Sequence, residues 1–249
     1  MSPLSVELRD MTVERPTLLV LVRHAESARN VAKKGNTFFL DDESRKAVQG
    51  VADHHVPITD EGRRQAELTG RALRNEFGTF DYVYHSGYRR TQETAEHLLG
   101  AYTADERESM QVRHHLFLRE RDAGWTYDMT TAEAAASFPW LQGYWDTFGR
   151  FFARPPGGES LAAVAERVYL FLGMLFRDRA QQRVLVVSHG GTLRVFRYLL
   201  ERWTHDEFLE RWESEPVPNC AVTTYAFDST AGRLMLQALN RVHWQVPGR

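Results

Sequence analysis

The chain of 249 residues contains a single cysteine, Cys220. That excludes an internal disulfide and any site built on paired thiols, and it favours a reducing compartment. No apolar run approaches the roughly 18 residues of a membrane span, so no membrane partner is expected. An excess of charge is missing too: 31 Lys and Arg stand against 33 Asp and Glu, a formal net charge of -2. No global field recruits nucleic acid or an anionic membrane, so an anion site has to be built locally. The N-terminal "MSPLSVELRD" lacks the basic and apolar regions of a signal peptide, and the expected location is the cytoplasm. There is no internal repeat, no low-complexity tract, and no HExxH or CxxC spacing.

What the sequence does contain is alternation. "TLLVLV" (17–22) is a short apolar run that predicts a strand buried on both faces. Further strands are expected at 80–86, 111–118 and 183–189, and a late hairpin or pair of edge strands in "CAVTTYAFD" and "RLMLQALN". Helical patterns lie between them at 58–78, 89–100, 159–178 and 192–203. Thr59 or Asp60 can cap the first of these helices, and Gly78 can end it. Strands alternating with helices predict a three-layer α/β/α sandwich around a mostly parallel sheet. Length and rhythm fit a single domain over 1–249. Two stretches break the rhythm, the charged 31–57 and the aromatic-rich 125–156. Both are expected as inserted cap or lid segments over the functional end of the sheet.

In open α/β sheets ligands bind beyond the carboxyl ends of the strands, and four charged signals fall there. Arg23-His24 follows the first strand, Arg89-Arg90 the second, Glu120 the third, and "SHGGT" with His189 the fourth. Arginine forks match phosphate oxygens, a neutral imidazole can attack phosphorus, and a carboxylic acid can protonate a departing oxygen. "SHGGT" opens a helix, so its free backbone N–H groups, Gly190 among them, also favour an anion. Each signal alone is weak, since chance supplies an Arg-His dipeptide about once in such a chain.

Together the residues resemble the histidine phosphatase superfamily, the phosphoglycerate mutase-like fold. "RHAESARN", the spacing of Ser86, Arg90 and Thr94-Ala95, "LRERDAG", "VVSHGGT" and "PPGGES" carry the likeness from about residue 17 onward. The resemblance implies a catalytic set of His24, Arg23, Arg90, His189 and Glu120. His24 would be the nucleophile that becomes phosphohistidine, Glu120 the proton donor, and Arg23, Arg90 and His189 the phosphate pocket. Asn30 and Ser27 would contact phosphate or substrate. Arg89 is one residue out of register. Two departures stand out: Ala25 where the family has glycine, and Gly87-Tyr88 where Pro-Leu is commoner.

The expected activity is therefore hydrolysis of a small phosphomonoester, with no metal and no cofactor, because arginines supply the positive charge. The alternative is a cofactor-dependent phosphoglycerate mutase. Mutases of the family carry a "YGxLxG"-like stretch and a Gly-Leu-Asn-Lys run, and neither is present in "ERDAGWTYDMTTAEAAASF". A non-catalytic phosphate-binding module is a third reading. His54-His55 and His114-His115 are not expected as metal ligands, since neighbours on a strand face opposite ways. With Lys33, Lys34, Arg45 and Lys46, His54-His55 form either a solvated loop or a cover over the substrate. The aromatics of 125–152 are expected mainly in the core, a pocket wall or a homodimer patch being their other uses.

Overall fold

The computed structural model describes residues 15–245, so the N-terminal decapeptide lies outside it. Leu18–Arg23 forms strand β1. Leu19 and Leu21 enter one hydrophobic core, and Val20 and Val22 enter another on the opposite face. A strand apolar on both faces needs cover on both, and the helices supply it.

After β1 the chain makes two short helices, α1 (Ala28–Lys33) and α2 (Asp42–Arg45), before the long α3 (Asp60–Phe77). Thr59 caps α3 by accepting from the Gly62 N–H at 3.0 Å, and Gly78 ends it at φ 66°. Then come β2 (Tyr82–His85), α4 (Arg89–Leu99), α5 (Ala104–Glu108) and β3 (Gln111–His114). The second excursion holds α6 (Thr131–Ser137) and α7 (Leu141–Phe148). The rest is α8 (Leu161–Asp178), β4 (Arg183–Ser188), α9 (Gly190–Glu201), α10 (His205–Ser214), β5 (Val222–Asp228) and β6 (Arg233–Arg241).

The six strands form one sheet in the order β3-β2-β4-β1-β5-β6. β3, β2, β4 and β1 run parallel, while β5 is antiparallel to β1 and β6 to β5. Helices α8 and α9 cover one face with Val164, Val168, Phe171, Leu193 and Phe196. Helices α3 and α4 cover the other with Ala66, Leu73, Ala95 and Leu98. This is the expected three-layer sandwich around a mostly parallel sheet. Between α3 and α4 the backbones touch at Gly70, where a Cβ would lie 2.3 Å from the Leu98 carbonyl oxygen. Among the described residues no helix is long and apolar enough to cross a membrane.

Two expectations need correcting, and one open alternative is decided. The strand expected over 111–118 stops at His114, and Leu116–Leu118 turn into a 3-10 helix. β3 is an exposed edge strand, and the turn lets Leu118 bury completely. The late strands do form a hairpin, but β5 lies inside the sheet between β1 and β6. The aromatics of the second insertion are mostly outside the core: Trp125 is 74% exposed, and Trp140, Phe148 and Phe152 are also exposed. Its buried hydrophobic residues are Ala134, Leu141, Phe151 and Ala153, and Phe151 packs against Phe208 of α10. Helices α5 and α10 were not foreseen.

The two insertions hold each other. Phe39 bridges to Thr130, and Arg45 donates to the Glu133 carboxylate at 2.7 Å and to the Asp128 carbonyl at 2.8 Å.

Candidate active site

Strand order decides which strand ends meet. β1 lies beside β4 in a register that pairs Arg23 with Ser188, and β4 lies beside β2. His24 and His189, the residues that follow, come together with ring centroids 5.2 Å apart. Arg90, in the first turn of α4 after β2, reaches the same point.

His24 is buried and its ring is fixed. Nδ1 lies 2.8 Å from the Ala25 carbonyl oxygen. A carbonyl only accepts, so Nδ1 carries the hydrogen and Nε2 keeps its lone pair. Burial, then the charges of Arg90 and Arg23, hold the imidazole well below the usual histidine range. It is neutral at neutral pH. The following loop is pinned through its backbone. The Ala25 N–H donates to Thr94 Oγ1 at 2.9 Å, the Glu26 N–H to Gln65 Oε1 at 3.1 Å, and Asn219 Nδ2 to the His24 carbonyl at 2.9 Å. Ala25 has a negative φ and its methyl sits in the α3/α4 core, so a glycine is not required here. Gly87 does need its freedom, with φ at 85°. A proline, locked near -65°, could not make this turn.

His189 is fully buried behind His24, with both ring nitrogens engaged. Arg90 Nε donates to Nδ1 at 3.3 Å, so the Nε2 hydrogen goes to Ser86 Oγ at 2.8 Å. Ser86 in turn meets Thr91 Oγ1 at 2.8 Å. Burial, Arg90 and His24 keep His189 neutral as well. In this arrangement it positions Arg90 and offers no donor of its own to an anion. Arg90 is buried, with 5% of its side chain exposed, whereas Arg89 is 56% exposed and pairs with Glu93 on the helix surface.

Arg23 donates from Nη1 to the Val217 carbonyl at 2.5 Å, and its buried Nε has no partner among the described residues. Burial lowers its pKa to about 10, so it stays charged at neutral pH. Gly190 packs beside it: a Cβ there would lie 3.5 Å from Arg23 Nε.

Glu120 reaches the site on a loop that is braced from several sides. Ser188 Oγ donates to the Leu118 carbonyl and Thr192 Oγ1 to the Arg119 carbonyl, both at 2.7 Å. From α8, Arg167 donates to the carbonyls of Phe117 at 2.6 Å and Glu120 at 3.3 Å. Glu159, from "PPGGES", binds Arg167 and Arg119 and accepts from the Asp122 N–H at 3.1 Å. Burial opposes ionising Glu159, but these partners outweigh it and hold its carboxyl below the usual range. The glycines of the same motif let two backbones meet: a Cβ on Gly158 would lie 2.4 Å from the Asp122 carbonyl oxygen. Glu120 Oε1 accepts from the Arg121 N–H at 2.8 Å and lies over Gly191 in the first turn of α9.

His24, Arg23, Arg90 and Glu120 all line one cavity of about 290 Å³. Ser27 and Asn30 line it too, and they cap α1 reciprocally. The Ser27 hydroxyl hydrogen goes to Asn30 Oδ1 at 2.9 Å, and the same Oδ1 accepts from Asn219 at 3.1 Å. That leaves Asn30 Nδ2 as the group this cap can offer to a substrate. The insertions complete the wall with Lys33, Asn36, Asp53 and Tyr127. A second cavity of about 560 Å³ shares Asn36 and Arg121 and is lined by Phe38, Trp145 and Trp212.

Sequence reasoning placed Thr94 in a motif without giving it a role, and it missed Gln65 and Asn219, which hold the His24 loop with Thr94, and Asp53, which touches Arg90. Thr94 had a signal in its four-residue spacing from Arg90, but Gln65, Asn219 and Asp53 had none. Among the described residues no three His, Cys, Asp or Glu side chains stand together as a metal-binding group. His114 lies on the exposed edge strand, and His115 packs on Phe117 and Phe171.

The model of the histidine phosphatase superfamily (branch 1) matches residues 19–240. A phosphoglycerate mutase-like protein of Arabidopsis thaliana is 30% identical over 213 residues, which is 78% of this chain and 69% of that protein. A 2,3-bisphosphoglycerate-dependent phosphoglycerate mutase of Methylobacterium radiotolerans is 32% identical over 195 residues, 75% of this chain and 80% of that one. The alpha-ribazole phosphatase of Shigella flexneri superposes with a TM-score of 0.69 at 22% identity, covering 93% of this chain and 100% of its own. A mycobacterial glucosyl-3-phosphoglycerate phosphatase does so with a TM-score of 0.64 at 24% identity, covering 90% and 99%. At such identities the two structures speak for the fold.

Proposed function

The chain belongs to the histidine phosphatase superfamily, and from that premise we propose that it is a metal-independent phosphomonoesterase working through phosphohistidine on His24. The observation that carries this is the tautomer of His24, whose Nδ1–H is spent on the Ala25 carbonyl. Nε2 attacks phosphorus while Glu120 gives its proton to the departing oxygen and the P–O bond breaks. Glu120, now a carboxylate, takes a proton from water as the water oxygen attacks phosphorus. The P–N bond breaks, phosphate leaves, and His24 returns neutral. Arg23 and Arg90 supply the positive charge against the phosphoryl oxygens, a task for which no metal is needed. The leaving group has room beyond Asn36 and Arg121, in the larger cavity.

The second reading, phosphotransfer of the mutase type, is favoured by the mutases among the relatives. Against it, the stretch after Glu120 lacks both runs expected of a mutase. His24→Ala should abolish turnover of an aryl phosphate and the acid-labile phosphate label on the protein; turnover that survives would sink the reading. Incubation with 3-phosphoglycerate, with and without 2,3-bisphosphoglycerate, separates the two reactions: free phosphate marks the hydrolase and 2-phosphoglycerate the mutase.

A further inference from the structure

Arg90 is not free to fork onto a phosphate. Its Nη1 donates to the Asp53 carbonyl oxygen at 2.6 Å and to Asp53 Oδ1 at 2.9 Å, and its Nη2 to Asp53 Oδ2 at 3.4 Å. Nε is committed to His189. Of the five N–H bonds of the guanidinium, four are used, and one on Nη2 remains. Bidentate recognition of a phosphoryl group needs two parallel N–H bonds. A phosphate held by the Arg90 fork must therefore take at least one donor from Asp53.

The position of Asp53 is itself that of an anion ligand. Its carboxylate lies on the wall of the cavity that His24, Arg23 and Glu120 line. Lys33 and Arg29 lie on the same wall, and both feel its charge. Asp53 caps no α-helix and has 26% of its side chain exposed. It stands in a single 3-10 turn, Asp53–His55, between Gly50 and the buried Val56.

We propose that Asp53 is a built-in competitor for Arg90: it mimics the substrate's phosphoryl group, and substrate binds by taking Arg90 from it. The first insertion thus sets how tightly phosphate is held, through one carboxylate placed on the phosphate-binding arginine. A phosphate dianion and the Asp53 carboxylate cannot share one guanidinium without like-charge repulsion, so tight binding requires the turn to yield. Such a competitor also weakens retention of the product, inorganic phosphate, which carries the same group.

All this rests on Arg90 being a phosphate ligand, so the experiment checks that separately. Calorimetric titration with inorganic phosphate would compare the wild type with Asp53→Asn, Asp53→Ala and the double variant Asp53→Ala/Arg90→Ala, after circular dichroism has verified each fold. Losing a competing charged hydrogen bond should tighten phosphate binding about tenfold in Asp53→Ala. Asp53→Asn, which keeps the shape and one acceptor, should give a smaller gain in the same direction. KM for an aryl phosphate should fall in parallel without a fall in kcat.

Phosphate binding that is unchanged or weaker in both single variants overturns the competitor and makes Asp53 a group that holds Arg90 in place. A KM that rises with phosphate affinity unchanged also overturns it, since Asp53 would then contact the leaving group. If the double variant binds phosphate as tightly as Asp53→Ala, Arg90 is not the phosphate ligand, and the proposed active site falls along with the competitor.

Discussion

Alanine at position 191 would put a methyl carbon 2.8 Å from Glu120 Oε1. Contacts of that kind settle at about 3.3–3.6 Å, so the carboxylate must retreat by about 0.5 Å or more. The side chains of Ser188, Thr192 and Arg167 hold its loop by donating to the loop's carbonyls, so the Glu120 side chain, not the loop, has to swing. The fold loses little. Gly191 lies in a helix at negative φ, where alanine is favoured by roughly 0.5–1 kcal/mol. The next nearest atom, on Trp212, is at an ordinary 3.4 Å.

Chemistry is less tolerant, because catalytic groups need placing within about 0.5 Å and a general acid is worth roughly 10²–10⁴ in rate. Gly191→Ala should therefore keep or raise the melting temperature while kcat/KM on an alkyl phosphate falls about 10–100-fold. An activated aryl phosphate, whose leaving group departs without a proton, should lose less than about threefold. The assay is kcat/KM on both esters beside a thermal melt, because kcat/KM reports the steps up to phosphohistidine formation and omits its hydrolysis, where Glu120 serves both esters as the base. Equal losses on both esters would refute the role given to Glu120, since they would place the damage in the phosphate pocket. Undiminished alkyl turnover would refute the geometry.

Two further outcomes follow from burial. Arg90→Ala should cost about 10²-fold or more in kcat/KM, as expected of a charged transition-state donor, while Arg89→Ala, removing an exposed ion pair with Glu93, should stay within about twofold; steady-state kinetics on one aryl phosphate compares them. His24 and His189 are both held well below the usual histidine range, first by burial and then by Arg90, whereas in the unfolded chain they titrate near about 6.5. Below that pH the unfolded chain binds more protons, so the stability these histidines contribute is whole above about pH 6.5 and declines as pH falls. The decline should approach about 1.4 kcal/mol per pH unit for each of the two, read from urea midpoints between pH 7.5 and 5, and His24→Ala should show a shallower slope. A flat profile would mean that both take up protons in the folded protein as they do in the unfolded chain, and half the slope that one of them does.

The sequence alone determined the sandwich and pointed to the candidate residues that the fold gathers at one end of the sheet. β1 is apolar on both faces, which demands helices on both, and Arg23-His24 at its carboxyl end falls where an open sheet presents its ligands. Local patterns of this sort need no partner to be read: Thr59 and Gly78 bound α3, and Gly100 follows α4. Tertiary structure decided what depends on distant neighbours. Strand order is non-local, and it brings His189 behind His24 with both nitrogens spent, so the role of His189 depends on Ser86 and Arg90. The tautomer of His24 hangs on one carbonyl whose direction a sequence does not carry. β3 ended early because Leu118 gains more from turning into the core than from extending an exposed edge strand. The insertion aromatics stayed outside because only the packed body could say which residues of that excursion are covered. Asp53 was invisible for the same reason: a lone aspartate in a polar loop becomes a ligand of Arg90 only once the fold has carried the loop across the site.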